Sequence, residues 1–187
     1  MNLSIVLSTH QASFQAVAFK GDLEENIKRV TGWGYRGVEL AIRDPRLVDA
    51  DQLLGLVDKY NAVIPAIGTG QAWGEEHLSY TDPDPAVRRA AIERTKAHIP
   101  FAARADALII IGLLRGLVRP EIEHAQAMEW MISALQECCD SADNEGVRIA
   151  LESLNRYETT LINTTAQGLD MLKTIDRPNM GLLLPVT

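Results

Sequence analysis

Glu152 is the residue whose setting most demands a chemical explanation. It lies in the run IALESL (149–154), between Leu151 and Leu154. A carboxylate inside an apolar strand needs a metal, a cation or a proton to offset its lost hydration. Burial of that kind also raises its proton affinity and suits it to acid–base work. A structural ion pair with Arg115 or Arg156 would satisfy the same need, so both readings stay open. Asn155, Arg156, Tyr157 and Glu158 follow at once, making this stretch the richest in polar chemistry. Other apolar runs also end in functional groups: Ser8, Thr9 and His10; Glu39 and Arg43; Thr69, Gln71 and Trp73; Arg115; and Pro185 with Thr187. Arg115, just past a buried strand, could clamp a substrate carboxylate, pair with Glu152 or meet a helix C-terminus. Trp73 could stack on a sugar face or simply cover a barrel mouth. His10 reads most plainly as a polar loop residue. His77, His98 and His124 do not fall at metal-ligand spacing. No Ser–His–Asp order, nucleophile elbow, Walker motif or G-x-G-x-x-G turn is present.

These residues need a scaffold that brings strand ends together, and the chain alternates strands with amphipathic helices. Strands are expected over 3–9, 37–42, 62–70, 107–114, 147–154 and 180–186. Helices are expected over 22–34, 48–61, 85–104, 120–146 and 164–176. Asp22 with Glu25 and Thr164 with Gln167 have capping-box spacing, and Gly32 and Gly34 stop the first helix. Met128, Met131, Ile132, Leu135 and Cys139 recur on one helical face and read as core. Pro65 is awkward within the third strand. Pro100 predicts a kink or break in the fourth-region helix. The segment GTGQAWG (68–74) reads as a loop and is weak as a nucleotide motif. Continuous apolar strands between amphipathic helices imply a parallel sheet covered on both faces, or a barrel. The expected class is α/β, one domain over 1–187, with six parallel strands and five helices.

The 187 residues are 47% hydrophobic and 23% charged, with a net charge of -7, enough for one substantial core. An acidic surface argues against a nucleic-acid groove. The two cysteines, Cys138 and Cys139, are adjacent on a helix and point apart, so buried thiols are expected rather than a disulfide. The N-terminus lacks a basic region ahead of an apolar one. The longest apolar run, ALIIIGLL (107–114), falls far short of a membrane span. A cytoplasmic protein that engages neither membrane nor nucleic acid is expected.

The stretch LESLNRYETTLINTTAQGLDMLKTIDRPNMGLLL resembles the fifth- and sixth-strand region of the sugar isomerase/epimerase family, the xylose-isomerase-like TIM barrels. AFKGDLEENIKRVTGWGYRGVELAIRDPRLVD, IPAIGTGQAWGEE and LIIIGLLRG resemble the branch of 5-keto-L-gluconate epimerases, relatives of the tagatose/psicose 3-epimerases. The resemblance implies a (β/α)8 barrel that binds a divalent metal, Mn, Mg or Co. It also implies a ligand set of Glu, Asp, His and Glu after strands five to eight, and two glutamates working on opposite substrate faces. By motif position, Glu152 is the implied fifth-strand metal ligand and catalytic base. Glu158 corresponds to a residue that binds substrate near C1. Gln71, Trp73, Arg115 and Asn155 fall at substrate-pocket positions. The implied substrate is a small ketose or keto-uronate.

The pattern breaks after GLLL, where Pro185 stands in place of the implied aspartate, followed only by Val186 and Thr187. One carboxylate does not hold a catalytic metal, and one base does not invert a centre by a two-base route. The chain is therefore expected to be C-terminally truncated, to bind metal weakly or not at all, and to be inactive as an epimerase alone. Its open sheet edges are expected to be covered by self-association as a homo-oligomer. Two alternatives remain: a non-enzymatic self-associating fragment, and an endonuclease IV-like nuclease, which shares the barrel but needs clustered zinc ligands.

Overall fold

The computed structural model describes residues 3–9 and 19–184. Its strands are β1 (Ser4–Ser8), β2 (Gly37–Ala41), β3 (Ala66–Gly68), β4 (Leu108–Ile111), β5 (Ile149–Glu152) and β6 (Met180–Leu183). All pair in parallel, in the order β1-β2-β3-β4-β5-β6. A doubly wound sheet must reverse its strand order somewhere. A strictly sequential order instead sends every crossover the same way and, with right-handed connections, keeps the helices on one side. The result is an arc of barrel wall: α/β, of the (β/α)8 TIM-barrel type, with six of its strands.

Period-two alternation sorts the strand residues between the two faces. Leu7, Val38, Leu40, Ile67, Ile109, Ile111 and Leu151 are fully buried in the core. They face the helices α1 (Leu23–Gly32), α2 (Ala50–Lys59), α4 (Pro85–Ala105), α5 (His124–Asp143) and α6 (Thr165–Ile175). Met131, Leu135, Cys138 and Cys139 complete that core from α5, so the expected methionine-bearing face is indeed packing. Both thiols are free, and burial pushes each up to about 12.

Local sequence explains most helix ends. Asp22, Asp49 and Asp84 accept hydrogen bonds from Glu25 N, Gln52 N and Ala86 N, satisfying first-turn donors. Thr164 and Gln167 form the complete capping box. Four expectations need correction. There are six α-helices among the described residues, not five, because α3 (Gly70–Glu76) replaces the expected loop. Thr69 at its N-terminus makes no side-chain capping bond to the helix, so tertiary ties hold it. The helix at Pro100 is unbroken. Pro100 is exposed, so water can meet the carbonyl it leaves without a partner. Strand β3 begins only after Pro65, which removes the expected conflict. Helix α5 starts at His124 rather than 120.

Candidate active site

The inward set of the alternation meets at the C-terminal ends of the strands. Val6 from β1, Glu39 and Ala41 from β2, Gly68 from β3, Ile110 from β4, Gly112 just after it, and Glu152 from β5 line one cavity of about 200 Å³. Thr69, Gln71 and Leu113 add to its wall, and Leu154 and Glu158 arrive from the loop after β5. Larger cavities exist elsewhere. One of about 370 Å³ is lined by residues of α1 and α2, including Asp22 and Asp49. Those two carboxylates already cap their own helices.

Gly112 makes room for Glu152: a Cβ there would lie 2.6 Å from Glu152 Oε2, whereas one on Gly68 would meet Glu39 Oε1 at 3.5 Å, an ordinary contact. Burial raises the proton affinity of Glu152, and the Glu158 charge adds to the rise, while Arg115 opposes it. Glu39 is raised likewise, first by burial and then by the Glu152 charge. Both carboxyls are held closer to neutral pH than ordinary glutamates, the condition a proton-transfer group requires.

Arg115 occupies a short 3-10 turn (Leu113–Arg115) after β4 and is fully buried. Among the described residues none of its three guanidinium nitrogens has a hydrogen-bond partner. Burial depresses its pKa to about 10, against the attraction of Glu152 and Glu158. The anticipated Arg115–Glu152 ion pair therefore exists as a field, not as a bonded contact. The backbone after it is tightly enclosed. Gly116 has φ +89°, and an added Cβ would meet Ser79 Oγ at 2.0 Å and Thr81 Oγ1 at 2.2 Å.

Gln71 reaches the cavity from α3 and donates from Nε2 to Ser8 Oγ at 2.7 Å. Its Oε1 is buried and has no hydrogen-bond partner among the described residues. The helix that carries it is anchored by charge. Arg94 of α4 donates to Glu76 at 2.7 and 3.0 Å and lies 3.3 Å from Asp44. Arg43 reaches Glu75 at 3.2 Å and Glu76 at 3.4 Å. Arg43, expected at a strand end as a possible functional group, thus ties down α3.

The structure brings together Glu152, Glu158 and Gln71 among the expected site residues. Trp73 lies half-buried on α3, outside the cavity lining, and Arg115 sits behind that lining. Asn155 is exposed and donates from Nδ2 to Glu158, while its Oδ1 accepts from Tyr157 N at 2.9 Å. Arg156 lies over the ring of the exposed Tyr157, 5.3 Å from its centroid. His10, Pro185, Val186 and Thr187 lie outside the described residues. Sequence reasoning placed Glu39 at a strand end but not in the site. The signal was available, because V-E-L-A puts a carboxylate inside a buried strand just as L-E-S-L does. Among the described residues no group of three or more His, Cys, Asp or Glu could hold a metal ion. The described donor set alone therefore does not fit the divalent metal that the resemblance implies.

A sequentially ordered parallel wall, with acids gathered at the C-terminal strand ends, defines the TIM-barrel class of enzyme scaffold. A model of the family described as xylose isomerase-like TIM barrel matches residues 27–186, and the chain belongs to that family. An L-ribulose 3-epimerase of Methylomonas sp. (strain DH-1) is 30% identical over 154 residues, covering 81% of this chain and 52% of the relative. A ketose 3-epimerase of Arthrobacter globiformis is 26% identical over 162 residues, covering 85% and 54%. The crystal structure of a D-psicose 3-epimerase with D-tagatose, from Clostridium cellulolyticum H10, superimposes with a TM-score of 0.79 at 22% identity. That match covers 98% of this chain and 63% of the other. The chain thus spans about half the length of the curated relatives it matches.

Proposed function

We propose that this chain is part of a sugar 3-epimerase acting on a small ketose or keto-uronate, with Glu152 as its catalytic base. The observation that carries this reading is the half-buried, proton-avid Glu152 at the mouth of β5, in a cavity it shares with Glu158 and Gln71. The relatives named as ketose 3-epimerases support epimerisation over nuclease chemistry, as does a net charge of -7.

In this reading the Glu152 carboxylate takes the proton from the carbon beside the sugar carbonyl. The C–H electron pair moves into an enediolate, and the carboxylic acid so formed can return the proton to the same face. Return to the opposite face requires a second acid outside the described residues. Gln71 and Glu158 accept substrate hydroxyls, and Trp73, Arg115 and Asn155 act from the surrounding wall and loop. A divalent metal, in the family of Mn, Mg or Co, would use Glu152 as one ligand among others outside the described set. The cytoplasm is the proposed location, in keeping with two buried free thiols, and the protein is proposed to work as one partial-barrel domain.

The test is proton exchange rather than product. D-psicose incubated with the 187-residue chain in deuterated water should gain deuterium at C3 with its configuration retained. Glu152→Gln should abolish the exchange. Conversion to D-fructose by the chain alone would overturn the one-base reading, and no exchange at all would remove Glu152 from its role.

A further inference from the structure

The loop between β5 and α6 carries Glu158 on an exposed turn, yet that turn is fastened on both sides. Asn155 O accepts from Glu158 N at 3.1 Å and from Thr159 N at 3.3 Å, which closes the turn itself. The next side chain, Thr159, is buried; its Oγ1 donates to Gly116 O at 2.9 Å and accepts from Leu161 N at 3.1 Å. Beside it, Thr160 Oγ1 accepts from Val118 N at 2.9 Å. The anchor is itself held, because Gly116 packs against Ser79 and Thr81, and Thr81 Oγ1 donates to Leu117 O at 2.9 Å. On the other side, Asn163 Nδ2 donates to Leu154 O at 3.0 Å and to Thr159 O at 2.9 Å, spanning the stretch that holds Glu158. Its neighbour Ile162 is buried with φ +57°, a left-handed backbone that a β-branched residue adopts only where its surroundings impose it.

We propose that Thr159 and Asn163 are positioning residues: they clamp this turn to the backbone that follows Arg115 and so hold Glu158 at the cavity, ready to accept a substrate hydroxyl. A free loop tip would lose its conformational freedom each time sugar bound, at a cost in affinity, whereas a clamped turn has lost it on folding. A buried hydroxyl–carbonyl bond suits that task, because water does not compete for either group. Neither residue lines the cavity, so each acts through Glu158 rather than on substrate. The inference rests on the sugar-site reading and adds to it the residues that set its rim.

D-fructose binding to the full 187-residue chain, followed by calorimetry or saturation-transfer NMR, tests this through a double-mutant cycle. Thr159→Val keeps the shape and removes the hydroxyl; it should weaken binding about tenfold and strip hydrogen-exchange protection from the Glu158 and Thr159 amides. Thr159→Ser restores the hydroxyl and should bind as wild type does. Glu158→Ala should weaken binding too, and in that background Thr159→Val should cost nothing further, because the two act as one unit. Asn163→Leu leaves the bond to Gly116 in place and should repeat the pattern from the other side of the turn, with circular dichroism reporting that each variant is folded. If wild type binds and Thr159→Val costs the same affinity with and without Glu158, the clamp is structural only, and the proposal falls while the sugar site stands. Wild-type affinity in both Thr159→Val and Asn163→Leu would overturn it equally. If the wild-type chain binds no D-fructose, the sugar-site reading itself fails and the proposal with it.

Discussion

Gly112 stands beside Glu152 for a reason that a single substitution exposes. An added Cβ would press to 2.6 Å of Glu152 Oε2, the free end of a flexible side chain. Gly112→Ala should therefore cost the fold only about 1 kcal/mol, while turning the carboxylate away from its working position. A misplaced catalytic group costs about a hundredfold in rate, so the deuterium exchange should fall by that order while the thermal midpoint barely moves. His98 makes the opposite kind of prediction, one of stability alone. It is fully buried on α4 with neither ring nitrogen bonded among the described residues. Burial, reinforced by the Arg94 charge and opposed by Asp44, depresses its pKa to about 3. Because the folded pKa lies below the unfolded one, the protein is unpenalised above about pH 6.5, where the ring is neutral in both states. As the pH falls from there toward 3, only the unfolded chain takes up the proton, and stability drains by about 4 kcal/mol. Urea midpoints measured from pH 7 to pH 4 should fall steeply in wild type and more gently in His98→Leu. Identical slopes would place the acid sensitivity elsewhere.

Among the elements, α3 carries more of the site than its length suggests. It has two glycines in seven residues and no side-chain cap, so its own propensity is poor. It persists because Arg94 and Arg43 hold Glu75 and Glu76. Arg94→Met should leave Asp44 and Glu76 short of a buried cation and cost about 3 kcal/mol, read as a lower urea midpoint. It should also weaken D-fructose binding, because Gln71 rides on the same helix. This dependence explains which parts of the fold were legible in the sequence. Elements whose cause is local were readable: Asp22 and Thr164 announced helices, and branched apolar runs announced all six strands. Glu152 was legible because an acid in such a run breaks the pattern around it. Helix α3 was not, because its causes lie 18 to 32 residues away in Arg94 and Arg43. Nor was the line between lining and supporting residues. Trp73 lies two positions from Gln71 on one short helix, and whether each meets the cavity depends on how α3 docks. The unbroken helix at Pro100 has a similar origin, since exposure settles the outcome and sequence does not show which side faces water.

For the whole molecule, the governing fact is an arc that does not close within the described residues. Among the described residues β1 pairs with β2, with one further bridge from Leu7 to Phe19, and β6 pairs with β5. Each therefore presents one row of backbone donors and acceptors without a ladder partner from another named strand. β6 is half-buried over Gly181–Leu183, so apolar side chains accompany the open backbone. Water can solvate such an edge, yet an apolar, regularly spaced edge is also a template for another strand. The nearest supply in a pure sample is a second copy, and two copies related by a two-fold axis can pair like edges while burying the same face on each. The 187-residue chain should therefore self-associate. Light scattering behind size exclusion should give a mass of at least twice 20.6 kDa at tens of micromolar, shifting toward the single-chain value on dilution. Hydrogen exchange followed through the same dilution should locate the contact, with amides of β1 or β6 losing protection as the mass falls and those of the central β3 and β4 unaffected. A freely soluble single-chain species at every concentration would show that both edges are satisfied within one chain. Association that leaves β1 and β6 exchange unchanged would place the interface on the helices instead.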